Sequence, residues 1–185
     1  MENRPFSSTI DSDPKQPLNS YKQLSKEKTM FPADFLISER VSYCSTAASK
    51  KRILEEIGKL LASTTPELTQ DRVFDKLLER ERLGSTGLGH GIALPHARMP
   101  GIKQAYGAFL QLERGADFDA IDQQPVDLVF GLLVPNEATQ EHLQLLAMLA
   151  ALFSKEAFCL KLRKAGDYGE LLQLFLQQDL LQQVT

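Results

Sequence analysis

Two early segments of the chain place apolar residues at helical spacing, with charged residues on the opposite side. The two apolar faces are Ile53, Leu54, Ile57, Leu60 and Leu61, and Val73, Phe74, Leu77 and Leu78. Residues three and four positions apart lie on one face of a helix. Ser49 precedes the first face as a candidate N-cap, and Gly84 follows the second as a C-terminal glycine. The pattern predicts two helices, the second starting after Thr69 and carrying Arg80 near its end.

Short apolar runs between turn residues predict the strands, since such runs are typical of buried strands. They cover residues 41–44, 92–94, 105–112 and 127–134. Further amphipathic helices are expected over residues 136–153, 154–164 and 171–181, and a loop over residues 97–103. Strands that alternate with helices, without strict pairing, favour an α/β layered domain.

The first 30 residues lack this periodicity. They contain Pro5, Pro14 and Pro17 and scattered charges of both signs. A segment that cannot bury enough apolar surface stays disordered. We therefore divide the chain into a disordered polar extension, residues 1–30, and a single folded domain, residues 31–185.

Composition narrows the class of protein. A net charge of −3 gives no general reason to expect nucleic acid as a partner. No apolar run reaches the roughly 20 residues of a membrane span, and residues 1–30 hold no signal-peptide core. Cys44 and Cys159 lie far apart and make no metal or redox spacing, which fits a reducing compartment. We expect a cytoplasmic protein without membrane insertion.

The candidate chemistry is concentrated between Gly84 and His96. This stretch joins glycine and small hydroxyl residues to an apolar run that ends in Pro95 and His96. Successive N–H groups in a glycine-rich turn favour anions, and a neutral imidazole is a nucleophile near pH 7. The residue types indicate a phosphoryl acceptor beside a phosphate-binding turn; a plain turn with a packed histidine is the alternative.

The stretch from Gly84 to His96 resembles the active-site signature of the mannitol/fructose-type enzyme IIA proteins of the bacterial phosphoenolpyruvate-dependent phosphotransferase system. A second stretch, from Phe118 to Phe130, resembles the nitrogen-regulatory branch of that family. The likeness extends from about Asp34 to about Gln178. It implies a mixed β-sheet flanked by helices on both faces.

The resemblance implies roles for three residues. His96 matches the histidine that the family phosphorylates on Nε2, so that Nδ1 should be held by a hydrogen bond. His142 matches a second histidine, which would orient the phosphoryl group. Arg80 matches an arginine that would pair with the phosphoryl oxygens, although the residue types alone leave the choice between Arg80 and Arg82 open.

Four residues of the glycine-rich turn are predicted to bind phosphate. Gly87 and Gly89 would offer backbone N–H groups, and Ser85 and Thr86 would offer hydroxyl donors. The two hydroxyl groups could equally serve only to build the turn.

The resemblance implies a phosphocarrier with a regulatory task and without a cofactor. It would accept a phosphoryl group from a histidine-containing phosphocarrier protein and control partner proteins, in nitrogen or potassium balance, by its phosphorylation state. Whether such a carrier counts as an enzyme stays open, because the phosphohistidine is a transfer intermediate. The alternative within the family is a sugar-specific enzyme IIA that passes phosphate to a fructose- or mannitol-type permease.

Two alternatives lie outside the family. His90, His96 and His142 could form a metal site, but no carboxylate stands at a metal-ligand spacing from them, so we predict no metal. A binding module that never carries phosphate is disfavoured by the intact Pro95, His96 and Arg80.

Overall fold

One mixed sheet runs through the middle of the fold in the computed structural model, which describes residues 31–32, 34–63, 65–137 and 140–181. Its strands are β1 (Val41–Ser45), β2 (Gly87–Gly89), β3 (Ile92–Ala93), β4 (His96–Met99), β5 (Tyr106–Ala116) and β6 (Val126–Pro135). The order is β1-β5-β6-β3-β2, and β4 also pairs with β6. β5 and β6 are antiparallel, whereas β1 is parallel to β5, and β3 and β4 are parallel to β6. The predicted extension, residues 1–30, lies outside the described residues.

Helices cover both faces of this sheet. They are α1 (Lys50–Ala62), α2 (Gln70–Glu81), α3 (Gln140–Phe153), α4 (Glu156–Lys164) and α5 (Tyr168–Leu181). Buried residues of α1 and α2 form one hydrophobic cluster with the sheet, and those of α3, α4 and α5 form another. The predicted fold class, a single α/β domain whose mixed sheet is flanked by helices on both faces, is confirmed.

The central strand β6 is buried on both faces. Leu128 and Phe130 belong to the cluster under α3, α4 and α5, whereas Val129 and Leu133 belong to the cluster under α1 and α2. The sequence of β6 is therefore a continuous apolar run rather than an alternation. A Cβ at Gly131 would overlap the side chain of Ile57, so this glycine lets α1 lie close to the sheet.

Side-chain caps begin the two helices on the first face. Ser49 Oγ accepts from the backbone N–H of Arg52 at 3.4 Å, and Thr69 Oγ1 accepts from that of Arg72 at 3.3 Å. Such caps satisfy N–H groups that the first helical turn leaves without partners. α2 ends at Glu81, so Arg80 lies in its last turn, as predicted.

Several predicted boundaries are wrong. β5 extends to Ala116 rather than ending at residue 112, α4 begins at Glu156 rather than at residue 154, and α5 begins at Tyr168 rather than at residue 171. Residues 97–103 are not all loop, because His96–Met99 forms β4 and pairs with Leu132–Pro135. In β4, Ala97 and Met99 are buried while Arg98 is exposed, an alternation too short to stand out in the sequence. α3 begins at Gln140 rather than at residue 136, because residues 136–137 form a turn after β6.

No single helix of the described residues is long and apolar enough to cross a membrane. α3 and α4 together would pass by length and composition, with a 77° bend between them. In the fold their apolar residues, such as Leu149, Phe153 and Phe158, are buried in the core.

Candidate functional site

His96 stands at the start of β4 with both ring nitrogens in contact with other groups. Nδ1 lies 2.9 Å from the carbonyl oxygen of Leu94. A carbonyl oxygen only accepts, so Nδ1 carries the proton and donates it. Nε2 accepts from Nε of Arg80 at 3.1 Å. The two contacts together select one tautomer, with the proton on Nδ1 and the lone pair on Nε2.

The surroundings of His96 favour its neutral form. Burial lowers the pKa of the ring, because the imidazolium loses solvation. The bond to the Leu94 carbonyl opposes this shift, and the positive charge of Arg80 adds to it. The lone pair on Nε2 is therefore available at neutral pH.

Arg80 reaches the ring of His96 from the last turn of α2. Its Nη1 donates to the carbonyl oxygen of Gly84 at 3.0 Å, while Nε donates to His96. Arg82 is exposed and does not line the cavity described below. Of the two arginines that the sequence left open, Arg80 is the one that contacts His96.

His142 lies beside His96 and comes from the first turn of α3. The two ring centroids are 5.4 Å apart and the ring planes are inclined by 62°. Only 8% of His142 is exposed, and its Nδ1 has no hydrogen-bond partner among the described residues. Burial lowers the pKa of His142, and repulsion from the cations Arg98 and Arg80, and from His96 whenever that ring is protonated, lowers the pKa further. Two neutral imidazoles therefore share one site.

A cavity of about 440 Å³ opens in front of the two rings. Among the described residues, its lining includes the cations Lys76, Arg80 and Arg98 and one carboxylate, that of Glu79. A concave surface with an excess of one sign of charge attracts ligands of the other sign. The cavity is therefore suited to an anion at Nε2 of His96.

Sequence reasoning missed Lys76 as a residue of this cavity. It lies four residues before Arg80 on α2, and residues at this spacing share a helix face. That spacing is the signal that would have identified it.

The residues predicted to bind phosphate do not line the cavity. Ser85 Oγ donates to the carbonyl oxygen of Phe118 at 2.8 Å, and Thr86 Oγ1 donates to Glu81 Oε2 at 2.6 Å. Both hydroxyl groups therefore build the turn, which is the alternative that the sequence allowed.

Gly87 and Gly89 make room for the loop that follows β5. A Cβ on Gly87 would lie 2.8 Å from Cα of Ala120, and one on Gly89 would lie 3.0 Å from Oδ2 of Asp122. Gly89 also has a φ of +91°, which glycine adopts without strain. Close packing explains these two glycines, and their predicted role in phosphate binding gains no support from the contacts.

His90 does not share the cavity that His96 and His142 line. It occupies the turn between β2 and β3 with a φ of +56°, and its backbone N–H donates to Oδ2 of Asp122 at 2.7 Å. It does not line the cavity. In the described ranges, no group of three His, Cys, Asp or Glu side chains is placed to hold a metal ion.

A comparison with protein families identifies the family of the chain. The model of the phosphoenolpyruvate-dependent sugar phosphotransferase system, EIIA 2 family matches residues 34–178. The chain belongs to this enzyme IIA family. Its partners are accordingly phosphotransfer proteins of that system.

Relatives within the enzyme IIA family carry nitrogen-regulatory names. The nitrogen regulatory protein of Pseudomonas aeruginosa is 47% identical over 126 residues, covering 68% of this chain and 82% of that protein. The nitrogen regulatory protein of Escherichia coli is 46% identical over 127 residues, covering 68% and 77%.

Solved structures agree with this placement. The nitrogen regulatory protein IIA-Ntr of Neisseria meningitidis matches with a TM-score of 0.72 and 42% identity, covering 76% of this chain and 95% of that one. The mannitol IIA of E. coli matches with a TM-score of 0.63 and 25% identity, covering 75% and 97%. The predicted resemblance to the nitrogen-regulatory branch is confirmed, and with it a phosphocarrier or regulatory role.

Proposed function

We propose that His96 accepts a phosphoryl group on Nε2 from the phosphohistidine of a histidine-containing phosphocarrier protein. The observation that carries this proposal is the tautomer of His96, since Nδ1 donates to Leu94 and Nε2 presents its lone pair beside Arg80. Phosphoryl transfer needs an aligned nucleophile and positive groups near the phosphoryl oxygens, and little else from the protein.

The transfer step balances without an external acid or base. The N–P bond of the donor breaks, and the donor ring nitrogen keeps the electron pair of that bond. The new N–P bond forms from the lone pair of His96 Nε2. The Nδ1 proton stays on the ring, where the Leu94 carbonyl stabilises the charge of the phosphorylated imidazole. The donor ring, which holds a proton on its other nitrogen, leaves as neutral imidazole.

Cations of the cavity offset the charge that the phosphoryl group brings, which is nearly two negative charges at pH 7 by analogy with other phosphorylated side chains. One of them, Lys76, already pairs with Glu79 Oε2 at 2.7 Å. Arg80 Nε loses its ring-nitrogen acceptor and pairs with a phosphoryl oxygen instead. Lys76 and Arg98 line the same cavity. His142, next to the acceptor ring, orients the phosphoryl group by donating a hydrogen bond.

Labelling tests the acceptor directly. The protein is incubated with phosphoenolpyruvate, enzyme I and a histidine phosphocarrier. We expect one acid-labile, base-stable phosphoryl group on the wild type and none on His96→Ala. His90→Ala serves as the matched control, because His90 lies outside the cavity, and should be labelled in full. Full labelling of His96→Ala would refute the proposal.

We further propose that phosphorylation controls regulatory partners through binding, in nitrogen or potassium balance and in the cytoplasm. The nitrogen-regulatory names of the relatives support this output. At the cavity rim, Leu83 is 84% exposed, so the added charge appears beside an apolar surface. A partner that docks an acidic or apolar face there loses affinity on phosphorylation, and one that presents arginines gains it.

Binding measurements test this switch. A captured regulatory partner is titrated with His96→Asp, which partly mimics the charge, and with His96→Ala. If the partner binds the two variants with equal affinity, the proposal that phosphorylation switches binding is wrong.

A sugar route is the second candidate, favoured by the likeness to mannitol IIA and by 36% identity over 112 residues to a fructose-specific EIIA component of Haloferax volcanii, covering 60% of this chain and 73% of that one. Transfer of label from phosphorylated His96 to a sugar permease in membranes would establish it.

A further inference from the structure

We propose that Glu81 and Thr86 are positioning residues for phosphoryl transfer, because their contact closes the turn that holds both Arg80 and the backbone anchor of His96. We call the bonded pair Glu81 and Thr86 the turn clasp. The inference rests on the proposed acceptor role of His96 and adds two residues that do not line the cavity and make no hydrogen bond to the ring.

The turn clasp is a buried carboxylate–hydroxyl pair. Glu81 is 7% exposed and Thr86 is 4% exposed. Oε2 of Glu81 accepts from Oγ1 of Thr86 at 2.6 Å and from its backbone N–H at 3.0 Å. Hydrogen bonds to a carboxylate are shorter and stronger than bonds between neutral groups. The pair therefore fixes the path of the chain between the end of α2 and β2.

One end of the turn clasp determines where Arg80 points. Glu81 is the residue after Arg80, so holding its carboxylate in the interior sets the rotation of the last turn of α2. Gly84 lies within the closed turn, and its carbonyl oxygen accepts from Nη1 of Arg80 at 3.0 Å. The position of the guanidinium is thus set by the helix before it and by the Gly84 carbonyl after it, and its Nε donates to Nε2 of His96.

The other end of the turn clasp reaches the opposite nitrogen of the same ring. The carbonyl oxygen of Thr86 accepts from the backbone N–H of Leu94 at 2.9 Å. The carbonyl oxygen of Leu94 in turn accepts from Nδ1 of His96. The clasp is therefore connected to both contacts that select the tautomer of the acceptor.

Lys50 supplies a countercharge for Glu81 inside the fold. Its Nζ lies 2.9 Å from Oε1 of Glu81 and 2.7 Å from Oδ2 of Asp119. A buried carboxylate without a countercharge is strongly unfavourable. Lys50 of α1, Glu81 of α2 and Asp119 of the loop after β5 thus form one charged cluster.

The test compares Thr86→Val and Glu81→Gln with the wild type in the same labelling assay. We expect the second-order rate constant of transfer to fall about tenfold to a hundredfold, as for a misplaced reacting group, with His96 still the labelled residue. Nitrogen NMR correlation spectra of unphosphorylated His96 should change from the single Nδ1–H tautomer to a mixture. Thr86→Ser keeps the hydroxyl group and should keep both the wild-type rate constant and the single Nδ1–H tautomer of His96.

The chain offers a matched control for lost stability. Ser45 Oγ donates to Oε2 of Glu56 at 2.6 Å, the same chemistry between the edge strand β1 and α1. Ser45→Ala should keep the wild-type rate and tautomer even if its melting temperature falls as far as that of Thr86→Val.

Two outcomes would overturn the inference or its basis, and they differ. If Thr86→Val and Glu81→Gln transfer as fast as Ser45→Ala and keep a single His96 tautomer, the turn clasp has no positioning role. If Thr86→Val does not fold, Glu81→Gln decides the question alone. An unlabelled wild type would refute the proposed function instead. The NMR spectra of unphosphorylated His96 would still show whether the turn clasp controls its tautomer.

Discussion

The two halves of the stretch from Gly84 to His96 have different tasks in the fold. In the first half, residues 84–91, the two hydroxyl groups donate to Phe118 and Glu81, and the glycines admit the loop after β5. The second half, residues 92–96, pairs with β6 and brings His96 to the cavity. The glycine-rich half therefore packs the fold, and the cavity at His96 is lined by residues outside it.

The positive charge at the site comes from other elements. Lys76 and Arg80 are carried by α2, and Arg98 is carried by β4. The glycine-rich half contributes indirectly, because its turn holds the carbonyl of Gly84 against Arg80. The stretch therefore combines a packing element with the proposed acceptor, and substitutions in its two halves should have separable effects.

The largest effect should come from the cation nearest Nε2. Replacing Arg80 by Gln removes the charged donor that lies 3.1 Å from the acceptor nitrogen. We expect the rate constant of transfer to fall about a hundredfold or more, as on loss of a donor to a charged transition state. The melting temperature should fall far less than the rate does, because only the bonds to His96 and to the Gly84 carbonyl are lost. Arg82→Gln is the control, and an equal loss there would show that general charge rather than the contact is responsible.

Substitution in the packing half should have the opposite profile. A Cβ at Gly87 would meet the backbone of Ala120, which cannot move aside as a flexible side-chain end can. We expect Gly87→Ala to lower the free energy of unfolding by about 1–3 kcal/mol, the usual cost of overpacking. The folded fraction should still take up one phosphoryl group. Denaturant unfolding and labelling measure the two quantities, and a stable variant that takes up no label would place Gly87 at the phosphate instead.

Local patterns explain which parts of this fold the sequence predicts. α1 and α2 follow from apolar periodicity and from caps at Ser49 and Thr69, all of which act within a few residues. β4 was missed because Pro95 and Pro100 bound a run of only four residues, and its partner β6 comes much later in the chain. β4 forms because it pairs with β6, and the local sequence pattern does not reveal this pairing.

Some residues of the site can likewise be predicted from local patterns, and others depend on distant parts of the chain. His96 is marked by its motif, but His142 is separated from it by two strands and was identified only through the family resemblance. The choice of Arg80 over Arg82 depends on the direction in which α2 ends. Likewise, nothing in the run Glu79-Arg80-Glu81-Arg82 distinguishes Glu81 as the carboxylate buried against Lys50 and Thr86.

A smaller effect should appear as a dependence of stability on pH. Burial lowers the folded-state pKa of His96 and of His142, so the unfolded chain binds more protons below the usual histidine pKa of about 6.5. Stability should therefore be fully present above that value and decline as the pH falls through it toward the lowered pKa values. The double variant His96→Gln, His142→Gln should show a flatter melting-temperature profile between pH 7 and pH 5. An unchanged slope would mean that these two rings are not the groups that titrate.

The smallest effect is expected at Ser85, where the two interpretations of the glycine-rich half differ most. Its hydroxyl group donates to the carbonyl oxygen of Phe118 at 2.8 Å and accepts from the backbone N–H of Gly87 at 3.1 Å. If it only builds the turn, Ser85→Ala should cost about 1 kcal/mol of stability and change the transfer rate constant by less than about twofold, since a group that meets no phosphoryl oxygen gives no transition-state stabilisation to lose. Comparing its rate with that of Arg80→Gln under the same conditions makes the test independent of the assay. A fall in rate as large as the one caused by Arg80→Gln would indicate that the glycine-rich half binds the phosphoryl group. The two halves would then not have different tasks.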